Sequence, residues 1–251
     1  MPLGIRIGQV IAVVREAQVL ESTPQHISVC GPGADELAAA LAAGGDRAAI
    51  VVDGDPAAAA IAIRIVAGPP SSAERAEQRR VVRAGKRLLI LRRGSDPVPY
   101  ALPGDVLEAG PELPLEALAA AVARAAPDAA PALAARLPVL RPAVERRLVG
   151  VTSWGNALIA ASPWERAPNL SQLSIAQSRM LLLLGAARGE KLPLGPAGIA
   201  AAAGPPLAAA VAVGFTARGL VRRLPVRGPL VRAAVAYAGT RALGAVRLRL
   251  P

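Results

Sequence analysis

The residues best placed to do chemistry sit together near the front of the chain. Gly31-Pro32-Gly33-Ala34-Asp35-Glu36 follows a short apolar run and opens a helical pattern, the position of a nucleotide-binding loop. A phosphate-gripping loop needs a Lys for the β- and γ-phosphates and a Ser/Thr for Mg²⁺. No Gly-Lys-Ser/Thr occurs anywhere, and Gly85-Lys86 precedes a strand pattern instead of a helix. Asp35 and Glu36 aim negative charge at any phosphate there. The dinucleotide reading keeps two of the three glycines, Gly31 and Gly33, and finds Asp53 twenty residues on, where a ribose-binding carboxylate belongs. The third glycine is replaced by Glu36. The alternative is a plain βα turn with Asp53 at the surface.

Other reaction types find little support. His26 is the sole histidine and Cys30 the sole cysteine, so no intramolecular disulfide and no cysteine metal cluster is expected. A reducing cytoplasm is the natural fit. No serine stands in a nucleophile-elbow motif. Asp53 and Asp55 could face a Mg²⁺ ion, but Asp-Gly-Asp-Pro is also an ordinary solvated turn. The expectation is no catalytic constellation, no metal and no resident cofactor.

The elements that must carry these residues alternate. Short apolar runs at His26–Cys30, Ala48–Val52, Ile61–Val66, Arg87–Leu91 and Asp105–Ala109 read as strands. Helical patterns at Ala34–Ala43, Ala73–Ala84 and Leu115–Ala125 lie between or after them, with Ser71 or Ser72 as an N-cap and Gly85 as a stop. This predicts a doubly wound, GTPase- or Rossmann-like α/β sheet. The Ala57–Ala60 link is too short for a crossover helix, so the second and third strands are expected to pair as an antiparallel hairpin. Residues 8–21 read as an amphipathic helix on that domain. No secretory leader is expected, because Arg15 and Glu16 cut short the apolar run Ile7–Val14.

Charge divides the chain. Residues 1–140 hold 14 Lys+Arg against 15 Asp+Glu, and residues 141–251 hold 15 against Glu145, Glu165 and Glu190 alone. The whole excess of +11 is thus in the second part. Arg outnumbers Lys 27 to 2, and with much Ala, Gly and Pro this matches GC-rich coding, so part of the Arg excess is compositional. The domains expected are an α/β domain over 1–126, a Pro/Ala-rich junction over 127–140, and a basic helical domain over 141–251. In the last, Arg141–Ala161, Leu173–Ala187 and a segment from Pro229 to Val246 are helical patterns.

The basic half also carries Leu192–Ala217, 26 residues without a charge but broken by Pro205-Pro206. A straight membrane span needs about 20 apolar residues without such breaks. Arg218, Arg222, Arg223, Arg227 and Arg232 follow among Val, Leu and Gly, with no aromatics interleaved, which argues against specific nucleic-acid binding. Basic residues beside apolar helices, with Trp154 and Trp164 as interfacial anchors, suit an anionic membrane surface. A soluble Ala-rich bundle with a solvated basic face is the other reading.

Leu170–Gly189, with Gln177-Ser178-Arg179-Met180-Leu181, and the stretch from Leu224-Pro225-Val226-Arg227-Gly228 through Ala236-Tyr237-Ala238-Gly239-Thr240-Arg241-Ala242-Leu243-Gly244 resemble a bacterial family. That family is the GTPase-associated, YcjF-like helical domain of unknown function, and the likeness covers roughly residues 140–250. The resemblance implies a GTPase-like domain in front and a partner that is a GTPase or the inner face of the cell membrane. In the position of the guanine-reading Asn-Lys-x-Asp, this chain has Arg92-Arg93-Gly94-Ser95-Asp96, of which only Asp96 matches. The implied front domain is therefore a degenerate GTPase-like fold without activity, in a cytoplasmic or membrane-peripheral adaptor.

Overall fold

Strand β1 (Ile27–Cys30) and strand β3 (Ile61–Val66) are buried at every position. Strands that are mainly apolar on both sides need cover on both faces, and parallel β-α units supply it. The computed structural model describes residues 25–94, 96–98, 101–110, 112–162, 170–191 and 228–249, with isolated positions elsewhere. It forms a five-stranded sheet in the order β2-β1-β3-β4-β5, with β2 at Ile50–Val52, β4 at Leu88–Arg92 and β5 at Val106–Glu108. Every pairing is parallel, with Ile27 opposite both Ile50 and Ile61, Ala62 opposite Leu88, and Ile90 opposite Val106.

Local chemistry sets the helices. α1 (Ala34–Leu41) starts at Gly33, whose φ of 84° is open to glycine at little cost. α2 (Ser72–Arg83) starts from a capping box: Glu74 N–H donates to Ser71 Oγ at 3.2 Å and Ser71 N–H donates to Glu74 Oε2 at 2.7 Å. Those bonds, with Arg64 beside it, hold the Glu74 carboxyl below its ordinary range. Val81 of α2 packs on Ala62, Val66, Leu88 and Ile90. α3 (Leu115–Ala125) buries Leu118 and Val122.

Two expectations are corrected. β2 and β3 do not form a hairpin; both pair in parallel with β1, from opposite sides. β2 has three residues, so the chain must travel back only about 10 Å before β3 begins. Residues 53–60 make that return without a helix. Asp53 N–H donates to Val29 O at 2.9 Å, Ser28 Oγ donates to Gly54 O at 3.4 Å, and Ala60 N–H donates to His26 O at 3.0 Å. Pro56 and Ala59 are buried on the way.

Residues 127–140, expected as the junction between the domains, lie inside the first compact unit. They contain α4 (Ala130–Arg136) and a 3₁₀ turn, Pro138–Leu140, with Leu133, Leu137 and Leu140 buried. The two compact units are residues 23–144 with 187–189, and residues 145–186 and 190–251 with 1–22. This groups the N-terminal stretch with the helical unit. Of the helix expected over 8–21, Ala12, Arg15, Gln18 and Val19 are helical and the others lie outside the described residues.

The helical unit contains most of α5 (Arg141–Ala161), α6 (Leu170–Ala187) and α7 (Pro229–Arg249). α6 begins at Leu170, three residues before the helical pattern read from the sequence. Val149, Met180, Leu181, Leu184 and Leu243 form a core cluster among the described residues. Gly244 lets α7 approach closely, since a Cβ there would stand 2.6 Å from Val149 Cγ2. Among the described residues no helix is long and apolar enough to cross a membrane.

Candidate functional site

In an open α/β sheet, ligands bind beyond the carboxyl ends of the strands where the strand order reverses. Here that point lies between β1, which leads to β2 on one side, and β3, which continues to the other. The Gly31–Gly33 turn leaves the end of β1, and Asp53 leaves the end of the neighbouring β2. The sheet therefore brings Gly31, Gly33 and Asp53 to one edge.

The detail of that edge is less open. Gly31 has φ 105°, and a Cβ on it would stand 2.3 Å from Ile65 O, so the turn is seated on β3. A Cβ on Gly33 would lie 3.3 Å from Arg93 Nη2, which is itself 3.7 Å from Glu36 Oε2. Arg93, from just past β4, thus stands at the opening of α1 and offsets the acidic Glu36. Among the described residues, it is the cation that this geometry places at the turn, where a phosphate loop would have its lysine. Asp53 is exposed, with its backbone in the left-handed region at φ 51°. Asp55 is engaged elsewhere, accepting from Ala57 N–H at 3.0 Å and Arg80 Nη2 at 2.9 Å, so the two aspartates do not present a free pair. Among the described residues no group of three His, Cys, Asp or Glu is arranged to hold a metal. Asp96 is exposed, and its carbonyl accepts from Arg92 Nη1 at 3.1 Å.

His26 is half-buried and Cys30 buried, with Cys30 Sγ 3.6 Å from Ser28 Oγ. Among the described residues, the partners of the Cys30 thiol are Ser28 Oγ and Gly54 O, neither of which is a general base. Behind the turn lies a polar cluster that sequence reading did not select: Arg64 on β3 with Glu74, Glu77 and Gln78 on α2. Its visible signal was a lone charge in the run Ile-Ala-Ile-Arg-Ile-Val.

In the helical unit, Trp154 is 63% exposed, and its ring centroid is 5.1 Å from that of Tyr237 at an interplanar angle of 57°. Val151 (58%) and Leu158 (71%) are exposed on the same helix. The spacing of three and four residues puts all three on one stripe of α5. Arg232 is half-buried in the first turn of α7, and its backbone N–H donates to Gly228 O. Trp164, Arg218, Arg222, Arg223 and Arg227 lie outside the described residues. Beneath the surface, Asn156, Gln177 and Thr240 make a polar layer that joins α5, α6 and α7.

No family model, no curated protein and no solved structure matches this chain.

Proposed function

We propose that this protein is a non-catalytic adaptor whose basic helical unit docks on an anionic membrane surface at the cytoplasmic face. The observation that carries this reading is the exposed Val151–Trp154–Leu158 stripe, in a part of the chain with 15 cations against three carboxylates. Tryptophan favours the water–lipid boundary, and an apolar stripe of this kind on a helix lies in the interface plane. Each Lys or Arg near anionic headgroups adds about 1 kcal/mol, decaying over a Debye length. The α/β unit then acts as a binding module for a protein partner. The resemblance over residues 140–250 makes a GTPase the partner of choice.

The full chain is expected to co-sediment with anionic phosphatidylserine vesicles, much less with neutral phosphatidylcholine vesicles, and less as salt rises. Trp154→Ala with Leu158→Ala, and separately neutral replacements of Arg218, Arg222 and Arg223, should each weaken it. Equal sedimentation with both vesicles would mean apolar insertion alone, and none with either would end the membrane reading. Added RNA controls for non-specific polyanion binding.

A second reading, nucleotide or dinucleotide binding at Gly31, Gly33 and Asp53, is favoured by one observation: Arg93 stands at the opening of α1. Calorimetry with GTP and with NAD, on the native chain and on Gly33→Leu, decides it. The adaptor reading expects no isotherm with either.

A further inference from the structure

β3 has one charged residue, and it is buried. The Arg64 side chain is 9% exposed; Nη1 lies 3.4 Å from Glu74 Oε1 and Nη2 meets Glu77 Oε2. Both arms of the guanidinium are thereby paired. The next residue along α2 after Glu77 is Gln78, 1% exposed. Among the described residues neither Gln78 Nε2 nor Gln78 Oε1 has a hydrogen-bond partner. Burying an amide unpaired costs its full desolvation penalty, and a Leu or Met of similar size would avoid that cost.

Gln78 borders a cavity of about 10 Å³, lined also by Cys30, Pro56, Ala62, Arg64 and Val81. Cys30 and Arg64 are register partners on adjacent strands, so β1 and β3 both contribute to its wall. A buried water needs about 10–15 Å³ and two to four polar partners. The cavity reaches the lower limit of that volume. Gln78 offers a donor and an acceptor, and the Cys30 thiol is a weak donor and acceptor. A nucleotide, a sugar or a hydrated ion is far too large. We infer that this cavity is a binding site for a single long-lived water molecule, held by the Gln78 side-chain amide between α2, the end of β1 and the first half of β3. The water satisfies the amide and ties α2 to the strand that carries the Gly31–Gly33 turn.

Water–protein NOE and ROE spectra of the full chain test this directly. The Gln78 side-chain amide protons should show water cross-peaks of opposite sign in the two experiments, the mark of a water that tumbles with the protein. Oxygen-17 relaxation dispersion should count one fewer long-lived water in Gln78→Met than in the native chain. A high-resolution crystal structure of the native chain should show one density peak within hydrogen-bond distance of the amide, independent of how any variant folds. Amide protons that contact only a protein acceptor, an unchanged water count, or no peak beside the amide would each overturn the inference.

Discussion

Gln177 and Thr240 are 63 residues apart in the chain and share a hydrogen bond in the core of the helical unit. Gln177 Nε2 donates to Thr240 Oγ1 at 3.0 Å, and Asn156 Nδ2 donates to the same oxygen at 2.9 Å. The Thr240 hydroxyl in turn donates to Ala236 O at 2.9 Å. A hydroxyl has one hydrogen and two lone pairs, so this one is saturated, and both amide groups are oriented by it. All three side chains are buried.

Thr240→Val keeps the shape and removes the shared acceptor. Two buried amide donors then lack a partner, at about 1–3 kcal/mol each. The helical unit should lose roughly 3 kcal/mol by urea denaturation, and Thr240→Ser should lose far less. Adding Gln177→Leu to Thr240→Val should cost less than the sum of the two single changes, because they remove one interaction. Strict additivity would show that the bond is not made.

Gly31 tests how tightly the βα turn is seated. At φ 105°, with a Cβ directed at Ile65 O from 2.3 Å, Gly31→Ala must move backbone. The expected loss is about 3 kcal/mol or more. Gly44 is the control: its φ is 71° but nothing lies within 4 Å of the added Cβ. Gly44→Ala should cost about 1–2 kcal/mol, the penalty of the left-handed conformation alone. Equal losses at the two positions would mean the turn yields easily.

Asp46 links the α1–β2 loop to the end of α4. Arg136 Nε and Nη2 donate to Asp46 Oδ2 at 2.9 and 2.7 Å, and Ala48 N–H donates to Oδ1 at 2.9 Å. The bonds from Arg136, then Ala48, hold the carboxyl below its ordinary value of 3.8. The folded value is the lower one, so the contribution is fully present above pH 3.8 and is lost as pH falls from there through the folded value. The carboxylate is exposed, which keeps the effect modest. Asp46→Asn should lower the urea midpoint at neutral pH, and the gap to the native chain should narrow below pH 3.8. A gap that stays constant with pH would rule out the carboxylate charge as its source.

The sequence was most legible where periodicity and capping agree. Ile61–Val66 and Arg141–Ala161 have the bounds read from the pattern, and Ser71 caps α2. It misled where a rule about length met an unusually short strand: a three-residue β2 permits a helix-free return over β1. Pro and Ala at 127–140 suggested the domain junction, while the unit boundary falls at Val144/Glu145; Leu133, Leu137 and Leu140 lie at helix-like spacing and are buried. The glycine edge was readable because turn residues announce themselves, but Arg93 and the Arg64 cluster depend on register between strands far apart in sequence. Gln177 and Thr240 stood out as parts of a signature, without any hint that they touch.

Both rims of the sheet end in three-residue strands, β2 on one side and β5 on the other. On the β5 rim, Arg92 on β4 pairs with its register partner Glu108, which holds the Glu108 carboxyl below its ordinary range and places charge beside the edge. Exposed strand edges are templates for pairing with other chains, and short, charged ones are poor templates. A foreign strand would gain only a few ladder hydrogen bonds at either rim. Short rims of this kind guard the α/β unit against edge-to-edge aggregation, and any partner would have to recognise it through side chains instead of by extending the sheet.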